Sequence, residues 1–295
     1  MASPTVVLVT GVNKGIGKGL IEKYLSRPNH TVVGSVRDLS APAADELKNL
    51  PVAEGSKLLL VKIESTSPTD PQEAVKDIKA AGIDRLDIVI ANAGISPYPA
   101  PLDTVDIKDV IDTLQVNTIG PIRLFQAVKP LLEKSSSPKW ISVSSGAGSI
   151  TKLEAYKVSL VGAYGLSKAA QDWFTVAIHA GNTFLTAFAI HPGLVQTDMG
   201  NGGARMMGLE KAPHTIDEST AKTIDFIDKA TRENASGKFF NIIDEGPDRS
   251  FIPQPLLLPS LTVLAGLFGL KTSLNHMFGR TTEEAWARSF NKKPT

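Results

Sequence analysis

Apolar residues along this chain gather in short blocks separated by longer amphipathic stretches. Thr5-Val6-Val7-Leu8-Val9-Thr10 is uncharged and rich in β-branched residues, the pattern of a buried strand. Comparable blocks stand at 30–36, 57–63, 86–91, 139–144, 184–190 and 238–242, and helical periodicity fills most of the gaps. Leu58-Leu59-Leu60-Val61 and Leu86-Asp87-Ile88-Val89-Ile90 are nearly continuous, as strands covered on both sides require. Regular alternation of strand and helix predicts an α/β fold: a doubly wound parallel sheet of about seven strands with helices on both faces. Ligands of such sheets sit at the carboxyl edge of the strands.

The first strand block runs into Gly11-Val12-Asn13-Lys14-Gly15-Ile16-Gly17, and a helical stretch, Lys18 to Ser26, follows. Strand, glycine turn and helix form the context of a Rossmann-type dinucleotide loop, with the spacing G-x-x-x-G-x-G in place of G-x-G-x-x-G. Gly11 is expected to make the tight turn, Gly15 to admit a pyrophosphate, and Gly17 to allow close helix packing. The helix N-terminus then offers free N–H groups and a positive dipole end to phosphate. Asn13, Lys14 and Ile16 belong to the same expected cofactor contact.

The second strand block ends in Ser35-Val36-Arg37-Asp38. An NAD site usually places an acid at the end of this strand, where Val36 stands here. Arg37 suits a 2′-phosphate, and Lys14 would add a second positive charge. This favours NADPH over NADH, whereas Asp38 facing the ribose would reverse the preference.

Tyr164 and Lys168 stand four residues apart, on one face of any helix that contains them. A cation beside a phenol brings its pKa toward the working range of an acid/base group. Tyr-x-x-x-Lys by itself is usually a half-buried ring and a solvated lysine. It gains meaning from the cofactor loop upstream.

Together these stretches resemble the short-chain dehydrogenase/reductase family over roughly residues 5–250. Asn92-Ala93-Gly94 after a strand, Asn117 in Leu114-Gln115-Val116-Asn117, Ser145 in Ser144-Ser145-Gly146-Ala147-Gly148, and Pro192-Gly193 with Val195 and Thr197 fit its motifs in order. Within the family the chain is similar to carbonyl reductases, sniffer-type reductases and fungal ketoreductases of the norsolorinic acid type. The resemblance implies a catalytic set of Asn117, Ser145, Tyr164 and Lys168. Tyr164 is then the proton donor, tuned by Lys168. Ser145 orients the carbonyl oxygen, and Asn117 holds a water that relays protons to Lys168. It also implies cofactor contacts from Asn92, Ala93, Gly94, Pro192, Gly193, Val195 and Thr197, and from Glu64, where the family commonly has an aspartate near the adenine. Of the adjacent Ser144 and Ser145, which a strand sends to opposite faces, the family's Ser-x-x-Gly spacing selects Ser145.

Tyr164 follows Ser145 by nineteen residues, a little more than the family's common interval, so the segment around Thr151 to Val161 is expected to reshape the substrate entrance. Tyr156, which has no lysine four residues on, either lines that cleft or packs. Gln196 to Ala212, with four glycines and three methionines, reads as a lid loop or a mobile surface loop. Its methionines, Met199 among them, suit an apolar carbonyl substrate.

The composition removes other chemistries. The chain of 295 residues has net charge +1, no cysteine and five scattered histidines. Nucleic-acid binding, thiolate catalysis and a metal site are therefore not expected. The first strand begins almost at once, without a secretory leader, and the expected location is the cytoplasm. We expect a dehydrogenase/reductase domain over 1–250 and an extension over 251–295. The apolar run Leu261 to Leu270 is short for a membrane span. It reads as a helix covering a patch on its own domain or on a partner, with a membrane-surface helix as the alternative. Thr281 to Trp286 reads as a capped final helix. The chain is expected to work as a monomer or a homo-oligomer. The functional expectation is an NADPH-dependent ketone or aldehyde reductase. The alternatives are a cyclase or epimerase on the same scaffold, and a non-catalytic NADPH-binding regulator.

Overall fold

Seven of the apolar blocks become parallel strands in the computed structural model, which describes residues 3–243 and the backbone of Gly246 and Pro247. They are β1 (Thr5–Thr10), β2 (His30–Val36), β3 (Lys57–Lys62), β4 (Ile88–Ala91), β5 (Lys139–Val143), β6 (Thr186–His191) and β7 (Phe239–Asn241), with β8 (Gly246–Pro247) as a two-residue antiparallel edge. The sheet order is β3-β2-β1-β4-β5-β6-β7-β8, so the chain crosses over between β3 and β4 to the other side of β1. The expected strand at 86–91 starts two residues late. The Asp87 carboxylate accepts from the Val6 N–H at 2.8 Å, and the Asp87 N–H donates to the Val6 carbonyl at 2.9 Å. An aspartate that bonds neighbouring backbone with its own side chain competes with regular pairing.

Alternation along the strands divides the core into two layers. Val7, Val9, Val32, Ile90, Ile141 and Phe188 face one side. They pack there against α1 (Gly15–Leu25), α2 (Pro42–Lys48) and α8 (Ile216–Lys229). Val6, Leu8, Val33, Val89, Trp140 and Ala187 face the other side, where α3 (Asp70–Ala80), α5 (Gly120–Leu132) and α6 (Gly162–Gly181) cover them. Each fully buried aliphatic side chain contributes about 1.5–3 kcal/mol. The period-2 pattern thus fixes both faces at once. On the second face, α4 (Ile107–Leu114) runs into α5 through a π-helical turn, Gln115–Ile119.

The stretch read as a lid loop is in part helical: α7 spans Asp198–Met206. Thr197 caps it, its hydroxyl accepting from the Gly200 N–H at 3.0 Å. A Cβ on Gly200 would lie 1.9 Å from the Val195 carbonyl oxygen, so Gly200 serves a tight helix start. A four-residue helix, α9 (Arg232–Ala235), precedes β7. No helix among the described residues is long and apolar enough to cross a membrane. The expectations for the extension from residue 251 onward, including the apolar run and the final helix, lie outside the described residues.

Candidate active site

The glycine loop joins β1 to α1, with Gly11 at φ +70° and Gly15 at φ +60°. A Cβ on Gly17 would stand 2.2 Å from the Gly11 carbonyl oxygen and 2.6 Å from Asn92 Nδ2. Gly17 therefore lets the loop close on itself. The close helix packing that the sequence reading gave to Gly17 falls to Gly19 instead, where a Cβ would meet Ile216 at 2.7 Å and Thr220 at 3.1 Å on α8. Ile16 is half-buried against the core.

Asn92, Ala93 and Gly94 follow β4 and are stitched to the glycine loop through Thr10. Its hydroxyl accepts from the N–H groups of both Asn92 and Ala93 at 3.0 Å. Asn92 Nδ2 donates to the Thr10 carbonyl at 2.8 Å and to that of Gly11 at 3.3 Å. The Asn92 side chain thus braces the loop, and Thr10 is a contributor that strand patterning concealed.

Past β2, Asn13, Val36, Arg37, Asp38, Ala41, Ala43, Ala44 and Glu64 line a cavity of about 260 Å³. Arg37 is exposed and makes no hydrogen bond or ion pair with any described residue. Asp38 turns to Ser40, whose N–H and hydroxyl donate to its Oδ1 at 2.8 and 2.6 Å. These bonds hold the carboxyl below its usual range. Glu64 Oε1 accepts from the N–H and the hydroxyl of Thr66, at 3.3 and 3.4 Å. Lys14 reaches across the cleft to Asp198 at the start of α7, at 2.6 Å. Next to it, a Cβ on Gly15 would lie 3.2 Å from Thr197 Cγ2. The segment after β6, with Pro192 accepting from Ser219 Oγ at 2.7 Å, Gly193 at φ +89° and Val195 buried, thereby faces the glycine loop.

The second group of residues gathers where β5 meets α6. Trp140, Ser142 and Ser144 alternate toward α6, and Ser142 Oγ lies 2.7 Å from Thr175 Oγ1. Ser144 is buried, and its hydroxyl stands beside the Asp172 carboxyl. Ser145 is the N-cap of a 3-10 turn, Gly146–Gly148, accepting from the Ala147 N–H at 3.2 Å, and its hydroxyl stands against the Tyr164 phenol. The Tyr156 ring lies over Gly146, 3.2 Å from where a Cβ would be, so it flanks Ser145. Met199 is exposed in the first turn of α7.

Lys168 is 3% exposed, with Nζ 5.6 Å from the centre of the Tyr164 ring. The ammonium donates to the Val143 carbonyl and to Gln171 Oε1, each at 2.8 Å. Burial pushes it down to about 8, against a smaller upward pull from Asp172. Tyr164 still shows part of its surface, yet burial of the phenol pushes it up to about 12; Ser145 opposes that rise and Asp172 adds to it. The phenol thus lies above its ordinary value, not below it as the spacing to Lys168 led one to expect, because removal from water disfavours the phenolate.

Asn117 sits in the π-helical turn and is fully buried. Its Oδ1 accepts from the Ile95 N–H at 2.8 Å; its Nδ2 donates to the Ile95 carbonyl at 2.8 Å and to Ser167 Oγ at 3.0 Å. Both amide hydrogens are engaged, and the side chain ties the segment after Gly94 to the turn of α6 between Tyr164 and Lys168. A Cβ on Gly94 would lie 3.1 Å from Asn117 Oδ1 and 3.6 Å from Lys168 Nζ. Sequence reasoning did not identify Gln171 and Asp172. Their signal was two polar residues one turn beyond Lys168, where the helix was due to be apolar.

Residues 5–207 match the short chain dehydrogenase family. Short-chain dehydrogenase srdF of Neurospora crassa is 51% identical over 243 residues, which cover 81% of this chain and 95% of that protein. The norsolorinic acid ketoreductase of Aspergillus parasiticus is 41% identical over 237 residues, covering 80% and 87%. Among solved structures, the NADPH-bound carbonyl reductase from chicken fatty liver is similar with a TM-score of 0.72 at 30% identity, covering 82% of this chain and 98% of that one. Carbonyl reductase Sniffer of D. melanogaster is similar with a TM-score of 0.70 at 28% identity, covering 83% and 98%. Sequence motifs, sheet order and these likenesses agree: the chain belongs to the short-chain dehydrogenase/reductase family, whose members are NAD(P)-binding oxidoreductases.

Proposed function

We propose that this protein reduces a ketone or aldehyde to an alcohol with NADPH, and that Tyr164 donates the proton. The observation that carries the proposal is a protonated phenol held beside the Ser145 hydroxyl and one helical turn from the Lys168 ammonium, at the strand edge that also carries the glycine loop. The nicotinamide dinucleotide, when bound, supplies the hydride to the carbonyl carbon. Negative charge grows on the carbonyl oxygen, and Tyr164 protonates it as a general acid. Ser145 orients that oxygen by hydrogen bonding. Lys168, anchored at Val143 and Gln171, keeps a positive charge beneath the phenol. The Gly11–Gly17 loop and the N-terminus of α1 would hold the phosphates.

The residues present fit an NADPH molecule. Arg37 is an uncommitted guanidinium at the end of β2, the donor geometry that suits a 2′-phosphate. Asp38 is turned to Ser40, and the NADPH-bound state of the carbonyl reductase neighbour supports the same choice. Tyr156 beside Gly146 and the exposed Met199 in the first turn of α7 suit a bulky, weakly polar carbonyl, in keeping with the ketoreductases among the relatives.

The test is consumption of NADPH and NADH with a panel of ketones, quinones and aldehydes, by the parent and by Tyr164→Phe. The parent is expected to consume NADPH in preference to NADH, and the variant to lose roughly 10²–10⁴-fold in rate. Turnover that survives loss of the phenol would sink the mechanism. Isomerisation of a panel compound without net consumption of the dinucleotide would point to an epimerase instead.

A further inference from the structure

The reaction proposed above leaves one buried acid without a part. Asp172 follows Lys168 by four residues and Tyr164 by eight, on the same face of α6. It is 2% exposed, and the hydroxyl of Ser144 beside it is the one group that stands as a donor to its carboxylate among the described residues. A buried carboxylate with so little hydrogen bonding is costly to keep and calls for an explanation. Ser144 and Lys168 each favour its ionised form. Lys168 itself is held in place by Val143 and Gln171, so Asp172 is not needed to fix the position of the ammonium. What Asp172 adds is charge.

The charged and titratable groups around Asp172 are few. Its own helix brings Lys168 and Tyr164, and the end of β5 brings Ser144. His191, the last residue of β6, stands at the same edge with its ring against Gly146, 3.8 Å from where a Cβ would be. The packed helix α4 carries Lys108 and Asp112 as an exposed mutual pair, and the π-helical turn brings only the amide of Asn117.

We propose that Asp172 is a positioning residue that acts through Lys168: its buried negative charge keeps the Lys168 ammonium protonated and so sets the alkaline limit of the Tyr164–Lys168 pair. This rests on the reductase reading for its consequence in catalysis, but not for its physical basis. Burial holds the Asp172 carboxyl up at about 7 and the Lys168 ammonium down at about 8. Between those values both groups carry their charge, one helical turn apart on the buried face of α6. Removing the anion lowers the pH at which Lys168 loses its proton, by about one unit for a buried opposite charge one helical turn away.

Asp172→Asn keeps the shape and removes the charge. The first measurement uses the full chain without ligand, as unfolding midpoint against pH. An acid whose folded pKa is raised destabilises the native state progressively as pH climbs from its unfolded value, about 3.9, to its folded one. Asp172→Asn is therefore expected to gain on the parent as pH rises from about 5 to 7. A difference that stays constant across that range, as a packing role alone gives, overturns the proposal. The second measurement is the pH profile of kcat/KM with NADPH and a carbonyl compound from the panel. The alkaline limb of Asp172→Asn is expected to move to lower pH; an unmoved limb overturns the proposal. Should Asp172→Asn not fold, Ser144→Ala removes a group that favours the Asp172 anion. It is expected to move the same limb in the same direction by less, and an unmoved limb there counts equally against the proposal. Activity retained by Tyr164→Phe would refute the reductase mechanism while leaving the unfolding result standing, so the two failures are distinct.

Discussion

The two ends of the candidate cleft hold charge in opposite ways. At the β1–β3 end, Lys14 and Asp198 form an ion pair with 70% and 83% of their side chains exposed, and Arg37 stands in solvent with no partner among the described residues. At the β5–α6 end, Lys168 and Asp172 are buried to 3% and 2% exposure. Exposed charges are screened within a Debye length of about 10 Å and contribute little to folding. Such charges lie within reach of a ligand from solvent. Buried charges are costly, and burial brings Lys168 and Asp172 close to neutral pH. One end is suited to capturing an anion, and the other to moving a proton. The same residue types, lysine and aspartate, serve both because exposure decides which property dominates.

The comparison is broken most directly at the loop between the two ends. Gly17→Ala places a methyl group 2.2 Å from the Gly11 carbonyl oxygen, a backbone atom that cannot swing aside. The expected result is near-complete loss of NADPH binding by calorimetry, together with about 1–3 kcal/mol of lost stability from overpacking. Unimpaired binding would show that the loop is not the phosphate cradle. Gly19→Ala is the control, because its obstruction lies on α8, away from the loop. It is expected to weaken stability more than binding.

The next largest effect separates the exposed end from the buried one. Arg37→Ala should weaken NADPH roughly ten- to hundredfold, the range of a charge-assisted bond to phosphate, and leave NADH nearly unchanged. Equal losses for both dinucleotides would reassign Arg37 to a general surface role. The unfolding midpoint should not move, since Arg37 makes no contact that folding depends on.

What was legible in the sequence follows the same division. Strands covered on both faces must be apolar at every position, so β1 to β7 stood out as blocks, and the glycine loop was visible because its neighbours in space are neighbours in sequence. Gly19 was hidden because its constraint comes from Ile216 and Thr220, about 200 residues away. The helix α7 was hidden because its glycines read as a loop, although Thr197 and the crowding at Gly200 call for a helix start. Tyr164 and Lys168 were found by spacing, yet the direction of the Tyr164 shift was not, since spacing reports a nearby cation and not the burial that raises the phenol. Asp172 was hidden because an aspartate on a helix reads as a solvated charge, and only the packing of α6 on the sheet buries it.

The smallest expected effect is also the finest test of the exposed end. Lys14 was read from the sequence as a second charge for the 2′-phosphate, and the structure pairs it with Asp198, whose carboxyl it holds below the usual range. Both groups are largely in solvent, so breaking the pair with Asp198→Ala should leave the unfolding midpoint where it is. Its effect is expected in binding. If Lys14 serves the 2′-phosphate, Asp198 competes for it, and Asp198→Ala should tighten NADPH a few-fold, with NADH unmoved and the gain shrinking as salt is raised. If the pair instead ties the start of α7 to the glycine loop, the same substitution should loosen both dinucleotides alike. Titrating the two cofactors into Asp198→Ala at low and high salt decides between a phosphate ligand and a strap. The first outcome keeps the exposed end as an anion trap, and the second makes it part of the closure of the cleft.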